Sequence, residues 1–218
     1  MTRGSFDIEL QNLHNDLLRM SSIVEKQIYS SIEALVNHDD NLADMVIKDD
    51  DLVDKLEVEI DTKCIMLIGR EQPLAKDLRN IFTVTKIVTD LERMSDHAVD
   101  IAKIVKRVSG EVYAKQLIDL PKMAKLTLNM IRKSIDAYIE TSETMAYETC
   151  KLDDEIDELY SSIFTELIKL MTKDQSLIHQ CSQFLFVCKF LERIADHATN
   201  ICEATIYFVT GEVADLND

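Results

Sequence analysis

The sequence predicts an all-α protein built from two tandem three-helix up-down-up bundles, six long helices in total, related by a pseudo-twofold axis. Three observations support this fold class. Of the 218 residues, 46% are hydrophobic and only 4 are Gly and 2 are Pro, a composition that favours long helices with few turns. Its apolar residues recur at steps of three and four, which is the period of an amphipathic helix. Finally, the segment 89–102 is repeated at 189–202.

The repeated segment carries the same charged residues at the same spacing in both copies. Each copy reads Leu-Glu-Arg-x-x-Asp-His-Ala, starting at Leu91 and Leu191, and continues with an Asp or Asn and an Ile. Segments earlier in each repeat also match one another, but they are 103 residues apart, whereas the two copies of the repeated segment are 100 residues apart. The second repeat is therefore three residues shorter near a turn, where deletions are tolerated. We therefore divide the chain into a first repeat at 1–110 and a second repeat at 111–218.

Three helices are predicted in the first repeat. The first spans about 7–36, and turn formers at 37–41 separate it from the second helix. We expect Gly69 to end this second helix, because glycine readily adopts the left-handed conformation found at helix C-termini. Pro73 lies in the first turn of the third helix, where its missing N–H is tolerated. The apolar pattern then continues without a break to Gly110.

Three more helices are predicted in the second repeat. The segment 110–121 is the best candidate for the linker that precedes them. The helices are expected at about 120–138, 145–171 and 177–210, before Gly211. Because short connections make successive helices antiparallel neighbours, each repeat should form an up-down-up bundle.

Composition argues against several classes of function. Forty Asp and Glu residues against 24 Lys and Arg give a net charge of −16, which repels nucleic acid and anionic lipid head groups. No apolar run reaches the roughly 20 residues needed to span a bilayer, and the N-terminus lacks a signal-peptide core. We expect a soluble, cytoplasmic protein without membrane insertion. The five cysteines form no C-x-x-C pair and lie in apolar helical patterns, so reduced, buried thiols are expected.

Oxygen-bearing side chains recur one helical turn apart within the repeated segment. Residues four apart lie above one another on a helix, so each copy presents a column of three such side chains. Like charges at this spacing weaken a bare helix by about a few tenths of a kcal/mol per pair, and a bound cation reverses that effect. Hard oxygen ligands suit Mg²⁺, Ca²⁺, Mn²⁺ or iron better than a structural zinc site. The candidate metal ligands are Glu92, Asp96, Asp100, Glu192, Asp196 and Asn200.

Further groups lie close to these columns in the predicted fold. His97 and His197 are about 100° around the helix from the columns, which favours a hydrogen bond to a neighbouring carboxylate over direct metal ligation. The alternative for the columns themselves is a solvated acidic face, since Asp and Glu are usually exposed. Additional ligands or their supports could come from four aspartates on the second and fifth helices, Asp51, Asp54, Asp154 and Asp157.

No sequence pattern argues for catalysis. A Gly-rich phosphate loop, a nucleophile elbow and a Ser/His/Asp arrangement are not found. The Glu-x-x-His motif of di-iron carboxylate bundles does not occur either. The sequence therefore predicts a protein that is not an enzyme.

The paired Glu-Arg-x-x-Asp-His segments, together with 72–79 at the start of the third helix and the tandem repeat, resemble the PhoU family of phosphate-signalling regulators. The family pattern of an acid, three residues and an Asp is matched by Glu92/Asp96 and Glu192/Asp196. The two copies are not identical: Asn200 corresponds to Asp100, and Glu203 corresponds to Lys103. The usual Gly of the family motif is replaced by Ser95 and Ala195.

The resemblance implies a regulator that damps the phosphate-starvation response. Its expected partners are the cytoplasmic subunit of a phosphate ABC transporter, a sensor histidine kinase and a second copy of the chain in a homodimer. Some members hold multinuclear iron or other metal clusters on these motifs, and others show no clear metal. The leading hypothesis is a non-enzymatic, metal-binding signalling adaptor, with iron favoured over Mn, Mg or Zn. The alternatives are a metal-free structural interaction protein, a regulator of a different phosphate transporter, and a metal-dependent phosphohydrolase or oxidase.

Overall fold

The protein is helical throughout in a computed structural model that describes residues 3–114 and 117–216. This confirms the all-α fold class. None of the helices in these ranges is both long and apolar enough to cross a membrane. A short 3₁₀ turn at Gln175–Leu177 precedes the last helix. The α-helices are α1 (Arg3–Asn37), α2 (Asp40–Glu71), α3 (Ala75–Arg107), α4 (Asp119–Ile139), α5 (Glu143–Cys150), α6 (Asp153–Lys173) and α7 (Ile178–Thr210).

The ends of α2 are set by its capping residues and by the proline that follows. At the N-terminus, the Asp39 side chain accepts hydrogen bonds from two backbone N–H groups of the first turn, each at 3.0 Å. The prediction that Gly69 ends α2 is wrong, because the helix continues to Glu71. Gln72 adopts the left-handed conformation instead, with φ 47°. Pro73 then disfavours helical geometry for the residue before it, which places the boundary here.

The helix predicted at 145–171 is divided into α5 and α6. Leu152 N–H donates to the Thr149 carbonyl at 3.0 Å, an i→i+3 bond that tightens the chain at this junction. Lys151 and Leu152 both keep right-handed helical dihedrals. The break is thus a local tightening, which the apolar periodicity does not detect.

Helices α3 and α7 pack against each other at the centre of the molecule and run antiparallel. The Thr83 hydroxyl on α3 donates to the Ala204 carbonyl on α7 at 3.4 Å. Further along, Asp90 of α3 meets His197 of α7, so the numbering rises on one helix as it falls on the other. Helices α1 and α2 pack on α3, whereas α4, α5 and α6 pack on α7. This arrangement agrees with the predicted pseudo-twofold relation of the two bundles.

One hydrophobic core extends through both repeats. Buried side chains of α1, α2, α3, α4, α6 and α7 belong to a single connected cluster. The equivalent residues Leu91 and Leu191 are both fully buried within it. The predicted linker at 110–121 lies between α3 and α4 as far as residue 118, and its last three residues form the start of α4; positions 115 and 116 fall outside the described residues. The division at 110/111 stays a prediction about sequence organisation, because the repeats share their apolar core.

Candidate metal centre

Acidic side chains of α2 and α3 converge in the first repeat. Glu92 of α3 lies near Asp54 and Glu57 of α2, and Asp96 of α3 lies near Asp50 and Glu57. Burial raises the pKa of Asp50, Glu57 and Glu92, and the neighbouring carboxylates raise it further. Since residues 50, 54 and 57 follow helical spacing, one face of α2 presents all three acids to α3. We call these five residues the first acidic cluster.

The second repeat contains a similar arrangement between α6 and α7, in which Tyr160 takes the position of Glu57 and Asp154 is an additional acid. Burial raises the pKa of Asp153 to about 7, and nearby Asp157, Asp196, Glu192 and Asp154 contribute to this shift. Burial is also the main cause that raises the pKa of Asp157 and Asp196. An ordinary Asp has a pKa of about 4, so Asp153 keeps its proton far more readily than a solvated carboxyl group. These five acids form the second acidic cluster.

Basic side chains compensate for only part of the negative charge. Arg93 lies 3.0 Å from Asp96 and 3.4 Å from Glu92 in the first cluster. Lys189 contacts Glu192 at 2.5 Å in the second. Each cluster has more carboxylates than basic partners. The remaining repulsion helps to raise the pKa of six of the acids, Asp50, Glu57, Glu92, Asp153, Asp157 and Asp196. A bound cation would relieve that repulsion.

A buried hydroxyl distinguishes the first cluster from the second. The Ser95 hydroxyl lies 2.7 Å from Asp50 Oδ1, and this hydrogen bond opposes the rise that burial causes in the pKa of Asp50. Ala195 occupies the equivalent position in α7 and offers no hydroxyl. Among the described residues, the buried Oδ1 atom of Asp153 has no hydrogen-bond partner. Asp153 therefore has no counterpart of the hydroxyl donor that stabilises ionised Asp50.

Replacement of Ser95 by alanine should destabilise the protein at neutral pH by about 1–2 kcal/mol, because ionised Asp50 would lose a buried donor. The loss should shrink as the pH falls, since a protonated Asp50 depends less on that donor. Urea denaturation at pH 8 and at pH 5 measures the difference. An equal loss of unfolding free energy at both pH values would show that Ser95 acts only through packing.

The third residue of each predicted column makes other contacts. Asp100 pairs with Lys103 at 3.2 Å on the same helix. Asn200 Nδ2 donates to Asp90 Oδ1 at 3.1 Å across the α3–α7 interface. Glu203, which corresponds to Lys103, accepts a backbone hydrogen bond from Leu216 at 2.6 Å. The assignment of Asp100 and Asn200 as metal ligands stays a prediction.

The two histidines of the motif have different surroundings. His197 Nδ1 lies 2.8 Å from Asp90 Oδ1, which confirms the predicted hydrogen bond to a carboxylate for this residue. For His97 the prediction is wrong: its ring stacks on Phe190 with centroids 5.5 Å apart, and its buried Nδ1 has no partner among the described residues. Phe190 corresponds to Asp90 and cannot accept a hydrogen bond. Burial lowers the pKa of His97 to about 4.

Comparison with known protein families identifies the source of the repeat. A sequence model of the PhoU domain matches this chain twice, at residues 17–105 and 120–205. The chain belongs to the PhoU family. This confirms the resemblance inferred from the motif, and the two PhoU matches cover the two bundles in turn.

Relatives in the PhoU family match along nearly their whole length. The phosphate-specific transport system accessory protein PhoU homolog of Clostridium acetobutylicum is 52% identical over 100% of both chains. Its counterpart from Rhizobium meliloti is 39% identical and covers 95% of this chain and 88% of that protein.

Solved structures share the PhoU fold seen here. The phosphate transport system regulatory protein PhoU from Streptococcus pneumoniae superposes with a TM-score of 0.89 at 32% identity, covering 96% of this chain and 99% of that one. PhoU from Pseudomonas aeruginosa gives a TM-score of 0.90 at 32% identity, covering 95% and 100%.

Sequence reasoning missed three members of the acidic clusters, Asp50, Glu57 and Asp153. Two of these, Asp50 and Asp153, could have been found from the repeat itself. The offset of 103 residues aligns Asp50 with Asp153, just as it aligns Asp54 with Asp157. Of the predicted additional ligands, Asp54, Asp154 and Asp157 do lie in the clusters. Asp51 is exposed on α2, next to the inward-facing Asp50.

The donor set of the PhoU motif fits a hard cation in its chemistry. All of the groups in the two clusters are carboxylates, the ligands that Mg²⁺, Mn²⁺ and iron accept. Within 3–114 and 117–216, however, no three His, Cys, Asp or Glu side chains are arranged as a ready-made metal-binding group. Mutual repulsion keeps such carboxylates apart unless a cation is shared. Metal binding would therefore require side-chain movement within each cluster.

Proposed function

We propose that this protein regulates phosphate uptake and phosphate-starvation signalling as a non-enzymatic, metal-binding adaptor. The observation that carries the proposal is the pair of acidic clusters, which occur at equivalent positions in both repeats of a PhoU fold. Its relatives are named as accessory proteins of phosphate-specific transport systems, which supports a role beside such a transporter. The proposed partners are the cytoplasmic subunit of a phosphate ABC transporter and a sensor histidine kinase, with the chain acting as a homodimer in the cytoplasm.

The clusters give metal binding a structural purpose in this adaptor. Each cluster joins two helices, α2 with α3 and α6 with α7, so a shared cation would hold the pair together. Iron is the favoured metal, with Mn, Mg and Zn as alternatives. In the second cluster a cation must also displace the proton of Asp153, whose pKa is about 7. Metal affinity of the second cluster should therefore rise with pH near neutrality.

The outer surface of α2 offers contact area for a protein partner. Val58 and Ile65 are 65% and 70% exposed and lie seven residues apart, on one side of the helix. Three acids of the first cluster, Asp50, Asp54 and Glu57, are on the same helix but face α3. A partner on this outer surface would touch a helix whose other face binds the metal, which couples the two events through α2.

Metal content should depend on the four motif acids that face α2 and α6. Untagged protein, purified without chelator or added metal, is compared by elemental mass spectrometry with the variant Glu92→Gln, Asp96→Asn, Glu192→Gln and Asp196→Asn. The parent should hold iron or manganese, and the variant should lose it because neutral amides bind hard cations weakly. Circular dichroism should show that the variant keeps its helices.

A charge-matched control separates specific ligation from the general loss of acid. Four exposed acids of α2 and α6 are neutralised in the same way, by Asp49→Asn, Asp51→Asn, Glu155→Gln and Glu158→Gln. This control should retain its metal. Full metal content in the motif variant would contradict the ligand assignment. A parent that holds no iron or manganese, and whose Tm does not rise when either is added, would favour the metal-free interaction protein instead.

A further inference from the structure

Two cysteines of the second repeat meet where α5 ends against α7. Cys150 is the last residue of α5, and Cys202 lies in the C-terminal third of α7. Their side chains lie together in the packing, close enough that each thiol shifts the pKa of the other. Both pack in a small apolar cluster with Ala137, Ala146 and Ile206, apart from the main core.

The first repeat shows that the fold does not require thiols at these positions. The residue equivalent to Cys150 is Ile47, and the residue equivalent to Cys202 is Ala102. Ala102 is fully buried and Ile47 packs against the main core, so apolar side chains suffice for this contact. The thiol pair is therefore a chemical feature of the second repeat alone.

Accessibility separates Cys150 from the other cysteines. All five cysteines lie in the described residues, and none of them forms a disulfide there. Cys64, Cys181, Cys188 and Cys202 are buried, whereas Cys150 is partly exposed. A small oxidant in solution can therefore reach Cys150 first, and the Cys202 thiol lies next to it. An accessible cysteine next to a second, resolving cysteine is the arrangement found in redox-sensing proteins.

We propose that Cys150 and Cys202 form a redox-active dithiol, which a peroxide converts to an intramolecular disulfide. The Cys150 thiol gives up its proton and its sulfur attacks one oxygen of hydrogen peroxide, forming a sulfenic acid as the O–O bond breaks; the departing hydroxide takes up that proton and leaves as water. The Cys202 thiol then attacks the sulfenic sulfur, so that an S–S bond forms and the hydroxyl group departs as a second water. Two thiols lose two electrons in total, and the peroxide gains them.

The disulfide would move the part of the chain that immediately precedes the second acidic cluster. A disulfide brings the two sulfurs to about 2.05 Å, closer than two packed thiols, and so draws the end of α5 towards α7. The tight junction at Lys151 and Leu152 follows immediately, and Asp153 is the next residue. Oxidation should alter amide hydrogen exchange at 151–157 and leave the equivalent residues 48–54 unchanged. The same exchange rates in both redox states would overturn this link to the cluster.

Tryptic peptide mapping tests the disulfide directly. Reduced protein is exposed to hydrogen peroxide, free thiols are blocked with N-ethylmaleimide, and the digest is analysed without reduction. Cleavage after Lys and Arg puts Cys150 in peptide 134–151, Cys202 in 194–218, Cys64 in 64–70, and Cys181 with Cys188 in 174–189. The expected product is a cross-link between 134–151 and 194–218.

Two variants identify the role of each thiol. Cys202→Ala, which copies Ala102 of the first repeat, should form no disulfide and should accumulate a sulfenic acid on Cys150 that dimedone traps. Cys150→Ser should show neither product, whereas the control Cys181→Ser should cross-link like the parent. Absence of the cross-link in the parent, its formation between other cysteines, or its appearance only after unfolding in urea would each overturn the proposal.

Discussion

Replacing Asp153 by asparagine is expected to stabilise the chelator-treated protein and to abolish metal binding at the second acidic cluster. Asp153 lies among Asp157, Asp196 and Glu192, and its pKa is raised to about 7 in the folded protein. Asparagine keeps the shape of the side chain and removes its charge. Groups that lower stability while serving a ligand are typical of functional sites.

The stabilisation by Asp153→Asn should depend on pH in a defined direction. Because the folded pKa of Asp153 lies above its unfolded value near 4, the folded state binds the proton more tightly, and ionisation of this residue costs stability as the pH rises from about 4 to 7. Above pH 7 the cost is complete. Solvent screening limits it to about 1–2 kcal/mol, or about 3–6 °C in Tm for a chain of this size. Below about pH 4 the parent and the variant should be equally stable.

Differential scanning calorimetry in the presence of a chelator, repeated with added Mn²⁺, measures both effects of Asp153→Asn. Asp51→Asn is the matched control, because Asp51 is exposed and should change neither the Tm nor the response to metal. Asp50→Asn should stabilise less than Asp153→Asn, since the Ser95 hydroxyl already stabilises the ionised form of Asp50 and less unfavourable energy is removed with its charge. A drop in Tm for Asp153→Asn at pH 8 would show that its carboxylate is held by favourable contacts.

Substitution of Leu191 by alanine is expected to destabilise both repeats together. Leu191 is fully buried in the core that the two repeats share. Removal of such a side chain leaves a cavity and costs about 2–5 kcal/mol. Because the core is continuous, we expect one cooperative unfolding transition and a loss of amide protection in α2 as well as in α6.

The equivalent substitution in the first repeat provides the control for Leu191→Ala. Leu91→Ala removes the same side chain from α3 and should have an effect of similar size on the same single transition. Denaturation followed by circular dichroism, together with hydrogen exchange, distinguishes the alternatives. Two separate transitions, with only the mutated repeat affected, would contradict the shared core and support independent domains at 1–110 and 111–218.

The fold was largely predictable because its main signals are local. Apolar periodicity located the long helices, and the internal repeat indicated the relation between the bundles. The end of α2 was not predictable from Gly69, because core packing of its last turn and Pro73 decide where the helix stops. The junction between α5 and α6 was missed since Lys151 and Leu152 keep helical dihedrals.

The candidate site was fully predictable only on the helices that carry the motif, whereas on α2 and α6 the sequence indicated some of the acids and missed others. The repeat identified Glu92 and Asp96 with their counterparts in α7, but not the face of α2 that meets them. Asp50 and Asp51 are adjacent, and only the rotation of α2 about its axis decides which one points inward. Tertiary packing sets that rotation. The different environments of His97 and His197 likewise depend on residues across the α3–α7 interface, which the local sequence does not reveal.

The antiparallel pairing of α3 with α7 also affects how the chain emerges from the ribosome. Helix α3 ends at residue 107 and α7 begins only at residue 178, so the partner of α3 is translated much later. At roughly 5–20 residues per second, this delay lasts on the order of ten seconds. During that interval the nascent chain displays the apolar side of α3 without its cover. The interval between the synthesis of α3 and that of α7 is therefore when neighbouring nascent chains can most readily associate through this apolar side.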